Sequence, residues 1–237
     1  MKNYLFKSLF KIVDPNWNVV DRSHEHNLYD SYVGMHQCST ASYTQHLKGN
    51  WEFKFVGGNC DTIHQAFVKT FWSIHDLWHR EPCNILYTDP DTIAMQPFDP
   101  WGKYDKFMMF NYTDPRQFHT PNIYNRSFEH FFNAGVRYFP STMSKEIWKQ
   151  GADMARQWDH GTYDTEQIIL NAMLWDQGLD VSDALDPTVA WQFFGEPRYC
   201  ESWNGVTITQ AKILHLHSSR GAENRLQVMK KLSEGIK

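Results

Sequence analysis

The sequence predicts an α/β protein built on a doubly wound, mostly parallel sheet, and three observations carry that expectation. Segments with strand and helix periodicity alternate through the first half of the chain. Over 63–78, Ile63, Ala66, Phe67, Phe71, Ile74, Leu77 and Trp78 recur at i, i+3 and i+4, which gives a helix one apolar face. The short apolar run Asn84-Ile85-Leu86-Tyr87 leads directly into Thr88-Asp89-Pro90-Asp91, as a buried strand with a polar loop at its carboxyl end. In such sheets ligands bind outside the carboxyl ends of the strands, so a site is expected there.

The elements follow in order. Residues 2–13 alternate Lys with apolar residues and read as a first strand, followed by a polar segment over 14–30 and a helix over 32–47. Trp51-Glu52-Phe53-Lys54-Phe55-Val56 alternates like a strand, and Gly57-Gly58-Asn59 is expected to close it. Asp61 is a candidate N-cap for the amphipathic helix, and Pro82 stops it. After the 84–87 strand come strands over 106–110 and 134–139. Helices are expected over 144–158, capped by Thr142 or Ser144, and over 165–175, capped by Asp164 or Thr165. A strand over 211–216 precedes a helix near 222–232. With no internal repeat or Gly/Ser linker, the 237 residues are read as a single domain spanning 1–237.

Composition narrows the function. A net charge of −4 argues against a broad basic surface for nucleic acid or anionic lipid. No apolar run reaches the ~18–20 residues that span a bilayer. Cys38, Cys60, Cys83 and Cys200 form no C-x-x-C pair, so free thiols in a reducing compartment, and a cytoplasmic location, are expected. Aromatic residues make up 16% of the chain, and such rings either fill the core or pack against the C–H faces of sugars.

Four groups of residues can carry chemistry. Asp89 and Asp91 bring two like charges together at a strand end, which suits a hard divalent cation and its phosphate ligands, although Asp-Pro-Asp is also ordinary turn chemistry. His215 and His217 fall on one face of a strand, and imidazole added to carboxylates suits Mn²⁺ or Fe²⁺ better than Mg²⁺. His24-Glu25-His26, in a polar segment, reads as solvated. Asn133 and Gly135 open a strand where backbone and amide can approach a ligand closely. Glu166 and Gln167 open a helix, where an acid is favoured by the helix dipole and can also serve as base, nucleophile or anchor.

These motifs, in this order, resemble the GT-A glycosyltransferases, and most of all the glycogenin-type retaining enzymes of glycosyltransferase family 8. The resemblance runs over about 51–220: the helical Lys69 before the strand, Leu86-Tyr87-Thr88-Asp89-Pro90-Asp91, Phe132-Asn133-Ala134-Gly135-Val136, Glu166-Gln167 with Asn171, and His215. It implies a GT-A fold, with a mixed, mostly parallel central sheet flanked by helices. It also implies a hexosyl- or pentosyltransferase that moves sugar from a UDP- or GDP-sugar to a glycan or other hydroxyl acceptor, with Mn²⁺ or Mg²⁺ as cofactor. Asp89, Asp91 and His215 would hold the metal, with His217 as the alternative histidine. Lys69 would neutralise a phosphate, Asn133 and Gly135 would border the donor sugar, and Glu166 and Gln167 would face the anomeric carbon.

The chain departs from the family pattern in three places. Glu166 stands where the family has Asp, and the family's Lys-Pro-Trp tail is replaced by His217-Ser218-Ser219-Arg220-Gly221, with Arg220 as the substitute phosphate contact. The first nucleotide-binding strand carries no recognisable signature. Retention is favoured, with inversion through Glu166 as base the alternative. Two rival readings are a haloacid-dehalogenase-type phosphatase, whose pattern Ile93 breaks, and a non-catalytic sugar- or nucleotide-binding module. The acceptor-choosing loops are expected over 110–127 and 181–202.

Overall fold

The computed structural model describes residues 1–13, 28–111, 132–144, 146–157, 165–186, 188–192, 207–216 and 221–235. In chain order its main elements are β1 (Lys2–Ile12), α1 (Leu28–His46), β2 (Glu52–Cys60), α2 (Ile63–Arg80), β3 (Cys83–Thr88), β4 (Thr92–Ala94), β5 (Met108–Asn111) and β6 (Phe132–Phe139). They continue with α3 (Glu146–Gln157), α4 (Thr165–Asp176), β7 (Ala190–Gln192), β8 (Ile213–His215) and α5 (Gly221–Gly235).

Five strands form the central sheet in the order β2-β1-β3-β6-β5. β1 pairs parallel with both β2 and β3, and β6 pairs antiparallel with both β3 and β5, so β6 alone runs against the other four. The mixed, mostly parallel sheet that the resemblance implies is therefore present, with β6 as the departure from the all-parallel sheet that the alternating pattern suggests. A second, short sheet, β4-β8-β7, branches off just past the carboxyl end of β3.

Alternation along the strands divides the core between the two sheet faces. Tyr4, Phe6, Ile85, Tyr87 and Met109 pack with Phe71, Ile74 and Trp78 of α2, Trp148 of α3, and Ile169 and Met173 of α4. Leu5, Leu86, Val136 and Tyr138 pack on the opposite face with Tyr43 of α1. Each of Phe71, Ile74 and Trp78 is almost fully buried, which stabilises the fold by about 1.5–3 kcal/mol per side chain. α5 packs on α1, with Met229 and Leu226 in a third cluster.

Several boundaries differ from the expectation for physical reasons. β2 does not stop at Gly57 but continues to Cys60, because β1 supplies a pairing partner as far as Ile12. The N-cap of α2 is Thr62 rather than Asp61: its hydroxyl accepts from the Gln65 N–H, while Gln65 Oε1 accepts from the Asp61 N–H. Helix α1 begins at Leu28, about one turn early. Thr142 does not cap α3; its hydroxyl donates to the Asp105 carbonyl. Strands β4 and β7, three residues each, are too short to leave a periodic signal. Among the described residues no helix is long and apolar enough to cross a membrane. His24, His26, Asp164, residues 112–127 of the first expected acceptor loop, and 187 and 193–202 of the second lie outside the described residues.

Candidate active site

Strand β3 is buried along its whole length and ends at Thr88, where the chain turns sharply. The Asp89 N–H donates to the Gly135 carbonyl at 2.8 Å, which carries the β3–β6 pairing one residue past the strand. The Thr92 N–H and hydroxyl both donate to the Asp89 carbonyl, at 3.3 and 2.7 Å, which closes the Asp-Pro-Asp turn and starts β4. Pairing of β4 with β8 then sets Thr92 opposite His215.

Two carboxylates and an imidazole from sequence-distant elements meet as a result. One ligand atom each from Asp89, Asp91 and His215 lies within 4.8 Å of the others. His215 Nε2 is 3.4 Å from Asp91 Oδ1. Asp91 and His215 are enclosed, with side chains 7% and 4% exposed, whereas Asp89 is 31% exposed and forms the open side of the cluster. Desolvation by the surrounding chain, opposed by Arg137 and reinforced by Asp91 and Glu166, raises the Asp89 carboxyl above the ordinary carboxylate range. Burial lowers the His215 pKa, but Asp91 and Asp89 outweigh it, so the net shift is upward.

The far wall is shaped by β6. Its pairing with β5 jumps from Arg137 to Asn133, which leaves Ala134, Gly135 and Val136 off that ladder and turned towards β3. Helix α4 holds the excursion: Gln167 Oε1 accepts from the Ala134 N–H, and Asn171 grips both the N–H and the carbonyl of Phe132. Asn133 Oδ1 accepts from the Gly135 N–H. The absence of a side chain at Gly135 is what admits His215. A Cβ there would lie 2.6 Å from His215 Nδ1 and 2.7 Å from Nε2.

Three buried cations surround the acids. Arg137 Nη1 donates to Glu166 Oε1 at 2.8 Å, and its Nη2 faces Asp89 Oδ1 at 3.7 Å. Arg225 of α5 donates to Asp91 Oδ2 at 2.6 Å and to the Tyr32 hydroxyl at 3.0 Å. Lys7 of β1 donates to Ser39 Oγ and Thr88 Oγ1, at 2.7 and 2.6 Å, and approaches the Asp89 carbonyl at 3.4 Å. Its burial pulls the amine down to about 7, against the pull of Asp89 and Asp91.

The donor set fits a divalent cation. In octahedral coordination at 2.0–2.1 Å, adjacent ligand atoms are about 3 Å apart. The 3.4 Å between His215 Nε2 and Asp91 Oδ1 is close to that spacing, and an Asp89 carboxylate oxygen lies within 4.8 Å of both.

The structure thus brings together Asp89, Asp91, His215, Gly135 and Asn133, with Glu166 joined to them through Arg137. The Gln167 amide is committed to the β6 backbone. Lys69 donates to the Asn59 carbonyl at the end of β2, on the same rim of the sheet but two strands from β3. His217 and Arg220 lie outside the described residues. Sequence reasoning passed over Lys7, Arg137 and Arg225. Lys7 was visible as the central lysine of β1 and Arg137 as a charge inside an apolar strand, whereas nothing local marks Arg225.

No family model matches the sequence, and no curated protein does. Solved structures do match in fold. The apo-form glycosyltransferase GlyE of Streptococcus pneumoniae TIGR4 aligns with 98% of this chain at 14% identity and a TM-score of 0.55. A glycosyltransferase involved in the glycosylation of the major capsid of PBCV-1 aligns with 97% of it at 12% identity and a TM-score of 0.60. The chain spans 60% of the pneumococcal protein's length and all of the viral one's. The fold is that of these glycosyltransferases.

Proposed function

We propose that this chain is a metal-dependent glycosyltransferase that moves a hexosyl or pentosyl group from a nucleotide-diphosphate sugar, UDP- or GDP-linked, to a hydroxyl acceptor. One observation carries the reading: Asp89, Asp91 and His215 converge at the carboxyl end of β3 in a glycosyltransferase fold, with Asp89 open to the outside. The order of motifs continues to favour a glycogenin-like enzyme.

Mn²⁺ or Mg²⁺ bound there would neutralise the negative charge that develops on the leaving diphosphate. Asp89 offers its carboxylate outward, while Asp91 and His215 are held from behind, Asp91 by Arg225 and His215 by its seat on Gly135. Lys69 and Arg220 are the proposed further phosphate contacts. Asn133 and Gly135 border the donor sugar, next to Glu166 and Gln167. Retention is the favoured outcome, because Glu166 Oε1 already accepts from Arg137. A carboxylate so engaged is better placed to oppose positive charge at the anomeric carbon than to collect the acceptor's proton. The free thiols Cys38, Cys60 and Cys83 suit a reducing compartment such as the cytoplasm.

The test is a thermal-shift screen of UDP, GDP, CMP and their sugars, each with and without Mn²⁺. A ligand specific to the native state at 100 times its Kd adds about 2.7 kcal/mol of stability. The reading predicts a rise in melting temperature that requires both one nucleotide diphosphate and the metal. No rise with any nucleotide, from folded protein, removes it.

A further inference from the structure

Strand β6 is buried from Phe132 to Phe139, yet it carries a guanidinium. Arg137 is 1% exposed and sits directly opposite Tyr87 in the β3–β6 register, with its guanidinium 3.7 Å from the centre of the Tyr87 ring. The ring is fixed in turn: its hydroxyl hydrogen-bonds Ser8 Oγ at 2.6 Å, and Phe6 stacks on its other side. Arg137 lies along the Tyr87 ring and reaches towards Glu166 and Asp89. Nη1 reaches Glu166, Nη2 stops 3.7 Å short of Asp89, and among the described residues neither Nε nor Nη2 has a hydrogen-bond partner.

Stability does not call for this arrangement. A well-packed apolar side chain in place of a buried ion pair is often neutral or stabilising, and a buried donor left unsatisfied is a cost. What the arrangement provides is placement. A single planar group on the sheet joins the end of β3, where Asp89 stands, to the first turn of α4, where Glu166 stands.

The geometry points to Arg137 as a positioning residue for the proposed transfer. It sets the Glu166 carboxylate at a fixed distance from Asp89, and so from the metal and the diphosphate that Asp89 would hold. The assignment rests on the glycosyltransferase reading. It adds that Arg137 acts through Glu166 on the sugar end of the donor and contributes little to the nucleotide end. Misplacing a group by about 1 Å at a reacting centre can cost about 10²-fold in rate.

The experiment compares wild type, Arg137→Met, Arg137→Lys, Glu166→Gln and the Arg137→Met/Glu166→Gln double variant. Three quantities are measured: melting temperature, affinity for UDP with Mn²⁺, and kcat and KM for release of UDP from the UDP-sugar that wild type uses. Arg137→Met is expected to bind Mn²⁺–UDP within about threefold of wild type, while kcat falls about 10²-fold. The double variant is expected to match Glu166→Gln, because residues acting through one another are not additive. Arg137→Lys, which cannot reach both acids with a planar fork, recovers only part of the rate.

A kcat within threefold of wild type in Arg137→Met overturns the assignment, as does a double variant whose loss is the product of the single losses. If Arg137→Met has no cooperative melt, Arg137→Lys carries the test: a kcat loss at unchanged Mn²⁺–UDP affinity supports the assignment, and equal losses in both overturn it. Wild type that releases no UDP or GDP from any sugar donor overturns the transferase reading itself, which is a different result from an active wild type with an active Arg137→Met.

Discussion

Replacing Gly135 by alanine puts a methyl group where the His215 ring lies. Gly135 is not among the glycines with positive φ, so its backbone accepts an L-residue and the effect is steric alone. The new Cβ would fall closest to His215 Cε1 and 2.6 Å from Nδ1, and ordinary contact begins near 3.4 Å, so the ring must retreat by about 1 Å. Metal–ligand bonds tolerate about 0.2 Å, so a ring displaced that far no longer ligates. Mn²⁺ affinity in the presence of UDP, followed by the EPR signal of free Mn²⁺, should fall by about 10–100-fold. Overpacking in a fully buried strand should cost about 1–3 kcal/mol, at about 2–4 °C of melting temperature per kcal/mol for a chain of this size. The two effects separate in a cycle with His215→Ala. Without the imidazole the alanine has room, so Gly135→Ala should cost less stability in that background and leave Mn²⁺ affinity no lower than His215→Ala alone. Wild-type Mn²⁺ affinity in Gly135→Ala, or an equal stability cost in both backgrounds, would refute the placement of His215.

Other consequences can be measured in the same way. Asp89→Ala and Asp91→Ala should both abolish metal-dependent nucleotide binding but differ in melting temperature: partly exposed Asp89 is dispensable to the fold, whereas removing Asp91 breaks a buried pair with Arg225 and should cost about 3–5 kcal/mol. Lys7 has a folded pKa near 7 against 10.5 for the free side chain, so between those values the unfolded chain binds the extra proton. The contribution of Lys7 to stability therefore rises with pH across that window. Relative to Lys7→Met, wild type should be least stable below pH 7 and gain steadily towards pH 10, as read by melting both proteins across the range. Asn171→Ala leaves the buried N–H and carbonyl of Phe132 without their side-chain partners, and urea denaturation should show a loss of about 2–4 kcal/mol.

The parts of this architecture that could be read from the chain are those written in local patterns. The i, i+3, i+4 spacing of 63–78 specifies the buried face of α2, and the apolar run before Asp89 places the site at a strand end. Phe132-Asn133-Ala134-Gly135-Val136 was legible as a place of close approach, but its cause was not: the group that needs the space is His215, eighty residues further on. Arg225 meets Asp91 across 134 positions, from a helix whose own pattern gives no reason to single out one arginine. Lys7 and Arg137 were more accessible, since each interrupts the apolar alternation of a strand that β pairing then buries. The hold of Gln167 on the β6 backbone was not legible either: nothing in Glu166-Gln167 marks the amide oxygen as the acceptor for the Ala134 N–H, thirty-three residues back.

Donor turnover tests the assignment of this site to glycosyl transfer most directly. Purified protein is incubated with a panel of UDP- and GDP-sugars, and release of the nucleotide diphosphate is followed with Mn²⁺, with EDTA, and with Asp89→Asn in place of wild type. The prediction is release from one class of donor, dependent on the metal, stopped by EDTA and absent in Asp89→Asn. Folded wild type that releases nucleotide from none of them, or release that persists unchanged in Asp89→Asn, would contradict the assignment of this site to glycosyl transfer.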